Sequence, residues 1–109
     1  MGNRKVKPLT IYQAEEKWPA VTYFKEKMLR KLIKHESKGG WDLDSLDSLV
    51  NRLKEETAEI EETIKAYERL SASLREDPNI KAAFQENIRA EAADVGNFAM
   101  MIFDNSKNL

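Results

Sequence analysis

Apolar residues recur along most of this chain at steps of three and four, the repeat of an amphipathic helix. Tyr23, Phe24, Met28, Leu29, Leu32 and Ile33 form the first clear stripe. Pro19 suits an early position in that helix, where its missing N–H costs nothing. Gly39-Gly40 should stop the helix near Lys38. Upstream, Thr10 to Lys17 suits a short helical turn, and residues 1–9 read as a loose arm. The next segment is the longest. Asp42 or Asp44 can cap it, with Asp47 in its first turn. Its stripe runs Leu46, Leu49, Val50 and Leu53, then Ile60, Ile64 and Tyr67. It fades through Ser71 to Arg75 and ends before Pro78. Asp77-Pro78, a cap followed by proline, opens a last helix with the stripe Phe84, Ile88, Val95, Phe98, Ala99 and Ile102. From Asp104 the tail is polar and reads as frayed.

Two of these stripes are interrupted by charge. Glu56 fills the gap between Leu53 and Ile60, and Glu91 fills the gap between Ile88 and Val95. A structural helix normally places leucine or alanine at such positions. Glu59 lies three residues beyond Glu56, and Asp94 three beyond Glu91, so each pair shares a helix face. With 19 acidic residues in 109, roughly three such pairs arise by chance, so spacing alone is weak evidence. Placement is stronger evidence. Burial of a carboxylate costs several kcal/mol unless its charge is neutralised. A divalent cation achieves that, and so do lysine or arginine partners from the first helix.

The architecture that follows is all-α: an antiparallel bundle of three to four helices, completed by homo-oligomerisation. Three helices with this much apolar face do not close a core alone. At 109 residues the chain is one domain. Its charged fraction of 34% suits helices with wet outer faces. The net charge of −1 argues against a nucleic-acid partner, which needs a broad basic field. Charge is nonetheless uneven, with lysine concentrated in residues 1–38 and acid in residues 42–94. There is no cysteine and one histidine, His35, so the available metal ligands are oxygens. Such ligands favour Mg²⁺, with Mn²⁺ as a substitute, over zinc. No apolar run reaches the roughly 20 residues that cross a bilayer. Met1 to Lys7 is basic without the apolar core of a signal peptide, and a cytoplasmic location is expected.

Taken in order, Glu55-Glu56-x-x-Glu59 and Glu91-x-x-Asp94 resemble the acidic motifs of the MazG-like family of all-α nucleoside triphosphate pyrophosphohydrolases. Phe24-x-x-x-Met28-x-x-Lys31-Leu32, Lys38-Gly39-Gly40-Trp41 and Asp94-Val95-x-Asn97-Phe98 add to the resemblance, which spans residues 18–104. It divides the chain into an N-terminal arm or short helix (1–17), the helical domain (18–104) and a C-terminal tail (105–109). The resemblance implies Mg²⁺-dependent cleavage of NTPs or dNTPs to a monophosphate and pyrophosphate by a homodimer or homotetramer. By position it implies Glu56, Glu59, Glu91 and Asp94 as metal ligands. Glu55 would orient or deprotonate the attacking water. The stretch between the acidic motifs is longer than in many members, and Ala92 and Ala93 replace bulkier or acidic residues.

Lys31 and Lys38 are candidates for phosphate contact, Trp41 for base stacking or for plugging the bundle end, and Asn97 for substrate contact. His35 reads as a surface residue, and Trp18, Met100 and Met101 as packing. Two further readings fit the same residues: a non-enzymatic helical dimerisation module, and an inactive relative that binds nucleotides.

Overall fold

The computed structural model describes residues 6–109. Five α-helices follow one another: α1 (Ile11–Lys17), α2 (Pro19–Lys34), α3 (Leu46–Glu68), α4 (Ala72–Arg75) and α5 (Pro78–Asn105). Single 3-10 turns follow α2 and α5, and no strand forms among the described residues. No described helix is long and apolar enough to cross a membrane. The expected arm begins before residue 6, so its first five positions lie outside the described residues.

Local chemistry sets the helix ends. Thr10 and Gln13 cap α1 reciprocally, each side chain accepting from the other's backbone N–H. Pro19 opens α2, and Asp77 caps α5 through the N–H groups of Asn79 and Ile80. Two boundaries differ from expectation. Ser45 caps α3, accepting from Ser48 at 3.1 Å, so Asp42 and Asp44 fall in the preceding turn. Ser71 begins a separate one-turn helix, α4, where the sequence pattern suggested a fading end of α3.

The frame is a hairpin of α3 and α5, with α2 laid against α5. The hairpin carries Leu49, the one large apolar side chain fully buried among the described residues, and Ala93 is sealed on α5. Tyr67 on α3 packs its ring at a tilt against Phe84 of α5, with centroids 5.1 Å apart, and donates to the carbonyl of Arg75, fixing the far end. Where α2 crosses α5, Gly96 lets the backbones come close. A Cβ there would stand 2.5 Å from the Phe24 ring and 3.1 Å from the Met28 sulfur.

The other end is latched by residues expected in a frayed tail. Asn105 is 3% exposed, and its Nδ2 donates to the carbonyls of Trp41 (2.8 Å) and Asp44 (3.0 Å). The Trp41 indole N–H donates to Asp104 at 3.0 Å. That bond, followed by the Lys107 ammonium, holds the Asp104 carboxyl below its ordinary value. The Lys38-Gly39-Gly40-Trp41 turn is therefore pinned to the end of α5. Gly39 adopts a φ of +85°, open to glycine at no steric cost.

Candidate functional site

The α3–α5 hairpin and the C-terminal half of α2 enclose a groove of about 320 Å³. Glu56 reaches it from α3, Asp94 and Asn97 from α5, and Lys31 from α2. Lys38 and His35 line it from the end of α2 and the turn beyond, while Arg52, Phe98 and Met101 complete the wall.

Glu56 sits where the stripe gap placed it, with 13% of its side chain exposed. Burial raises its pKa above the ordinary carboxylate value, and the neighbouring charges of Glu59 and then Asp94 push it the same way. Arg52 opposes them from 4.0 Å. Asp94 pairs with Lys31 at 3.3 Å, and both side chains are mostly covered. Arg52 also pairs with Glu55 at 3.3 Å and lies 5.0 Å over the Phe98 ring, which fixes its guanidinium at the rim.

The candidates divide into two groups. Lys31, Lys38, Glu56, Asp94 and Asn97 share the groove, with Glu59 beside Glu56. The other three do not line it. Glu55 stands on the exposed surface with Arg52, and Trp41 is held at the bundle end by Asp104. Glu91 turns its carboxylate to the Thr63 hydroxyl, at 2.8 and 2.9 Å. Among the described residues, no three acidic or imidazole groups converge tightly enough to hold an ion by themselves.

Asn97 is 5% exposed and donates from Nδ2 to the Met28 carbonyl at 3.1 Å. Its Oδ1 is buried without a hydrogen-bond partner. An orphaned buried acceptor on the wall of a polar groove is costly unless a ligand or water donates to it.

Arg52 and His35 line the groove but do not stand out in the sequence as site residues. Arg52 lies four residues before Glu56, so it shares the same helix face and is legible by spacing. His35 reads as a surface residue and is exposed, but it also lines the groove. No family model, no curated protein and no solved structure matches this chain.

The Glu56 environment has a pH consequence. Its folded-state pKa is raised, so ionisation disfavours the folded state above that pKa, and the cost is absent below the ordinary value of 4.5. Glu56→Gln is therefore expected to stabilise the apo protein at pH 7. The gain should shrink as pH falls towards 4.5. Urea titrations of both proteins across that range check it, and a gain that does not change with pH contradicts it.

Proposed function

We propose that this chain is a Mg²⁺-dependent nucleoside triphosphate pyrophosphohydrolase, converting NTPs or dNTPs to a monophosphate and pyrophosphate. The observation that carries the reading is the sunken Glu56–Asp94 pair, set in one groove with Lys31, Lys38 and Arg52. Acid and base interleaved at this scale suit a ligand bearing both a cation and phosphates. Mg²⁺ commonly binds through one or two carboxylates plus substrate phosphates, so this pair fits it, and Mn²⁺ can substitute. Burial first, and then the repulsion of Glu59 and Asp94, lifts the Glu56 pKa, and a divalent ion would relieve both. When bound, the ion supplies charge neutralisation on the phosphates and a more acidic water.

The chain's own groups then have definite tasks. Lys31, Lys38 and Arg52 take phosphate oxygens, the guanidinium in bidentate fashion. Asn97 Oδ1 accepts an N–H or O–H from the substrate. Glu55, released when Arg52 turns to phosphate, orients or accepts a proton from the attacking water. Glu59 and Glu91 stand one turn of helix from Glu56 and Asp94 and complete the acidic field. The working assembly in this reading is a homodimer or homotetramer.

One observation favours a non-enzymatic helical module instead: Lys31 and Arg52 already pair with Asp94 and Glu56. Thermal unfolding with Mg²⁺ and with chelator separates the two. The hydrolase reading expects Mg²⁺ at ten times its Kd to stabilise the protein by about 1.4 kcal/mol, and expects Glu56→Leu to abolish that response. The module reading expects the same melting temperature with Mg²⁺ or chelator.

A further inference from the structure

A single copy of this chain leaves too much surface uncovered. A folded monomer of 12.6 kDa exposes about 6,200 Å². This one exposes 8994 Å². Its radius of gyration is 18.5 Å, where a compact chain of this length gives about 13 Å. The excess, about 2,800 Å², exceeds the roughly 1,000–2,500 Å² that each partner contributes to an obligate interface.

The uncovered apolar side chains are weighted to the N-terminal third of the described residues. Most of the large apolar side chains that stand exposed among the described residues lie between Val6 and Ile33. Two of them, Tyr23 and Phe24, line a second cavity of about 780 Å³, framed by the first half of α2 and the middle of α5. Tyr23 (70% exposed), Phe24, Ala20 and Ala92 supply its apolar wall. Its rim carries both signs of charge: Lys27 bonds to Glu86, and Arg89 stands beside them.

We propose that this α2–α5 cavity is the homo-oligomer interface, occupied by the α2 segment of a second copy in a two-fold, self-complementary contact. A rim of mixed sign offers no field to a strongly acidic or basic partner, whereas a second copy brings acid to base in both directions. The contact covers Tyr23 and Phe24 and braces α2 against α5. It gives a surface to the assembly proposed above, and it holds whatever chemistry the carboxylate groove performs.

Because the chain lacks cysteine, single thiols can be placed at will. Tyr23→Cys treated with a short bismaleimide is expected to give mostly a two-chain band. Leu74→Cys, exposed on α4, is expected to stay single. Light scattering should return a mass of two chains or a multiple for the wild type. Tyr23→Glu should weaken association about thirtyfold or more. A wild-type mass of one chain overturns the proposal. So does crosslinking at Leu74 equal to or above that at Tyr23, even if Tyr23→Glu fails to fold. A pyrophosphate assay that fails leaves these readouts untouched.

Discussion

Asp94→Asn is expected to abolish pyrophosphate release, by about a thousandfold or more, while helix content is retained. The change keeps shape and removes one charge. It leaves the Lys31 ammonium, 3.3 Å away and only 25% exposed, without its counter-ion. It also removes one of the two carboxylates that reach the groove. Glu59→Gln is expected to act in the same direction, because Glu59 lies beside Glu56 and shares its field. Lys31→Met serves as the control. If the Lys31–Asp94 pair were only a brace, both replacements would lower stability alike and neither would stop turnover. The proposed role instead predicts that Asp94→Asn loses the response to Mg²⁺, whereas Lys31→Met keeps it and loses substrate affinity.

Leu49→Ala is expected to cost about 3 kcal/mol, read as a fall in the urea midpoint. Leu49 is 2% exposed and is the only large side chain buried to that degree among the described residues. It lies seven residues before Glu56, two turns of α3 away on the same face. Its loss opens a cavity in the α3–α5 hairpin, the contact that seats Glu56 near Asp94. Total stability of a domain this size is commonly 5–15 kcal/mol, so one such change removes a large share. Leu53→Ala, at a half-covered position one turn on, should cost less. Equal costs would mean that the hairpin is sealed elsewhere.

The sequence pattern made the helices legible because α3 and α5 keep their period almost without a break. Glu56 and Glu91 stood out because they break it, and Glu56 does reach the groove. Glu91 was placed by the same logic but its carboxylate turns to Thr63, a contact set by the register of two helices and not by spacing on one. Ser45 outcompeted Asp42 and Asp44 as a cap because it stands immediately before Leu46. Asn105 could not be read at all. Its function is to bind two backbone carbonyls some sixty residues away, and such carbonyls carry no side-chain signature. Trp41 is engaged at the bundle end for the same long-range reason, through Asp104.

The chemistry proposed for the Glu56–Asp94 groove is cleavage of nucleoside triphosphates. The most direct measurement is product analysis of the purified wild-type protein against the full panel of NTPs and dNTPs with Mg²⁺. Monophosphate and pyrophosphate are expected in equal amounts for at least one triphosphate, stopped by chelator and by Asp94→Asn. Absence of cleavage across the panel with both Mg²⁺ and Mn²⁺, or release of orthophosphate alone, would contradict it.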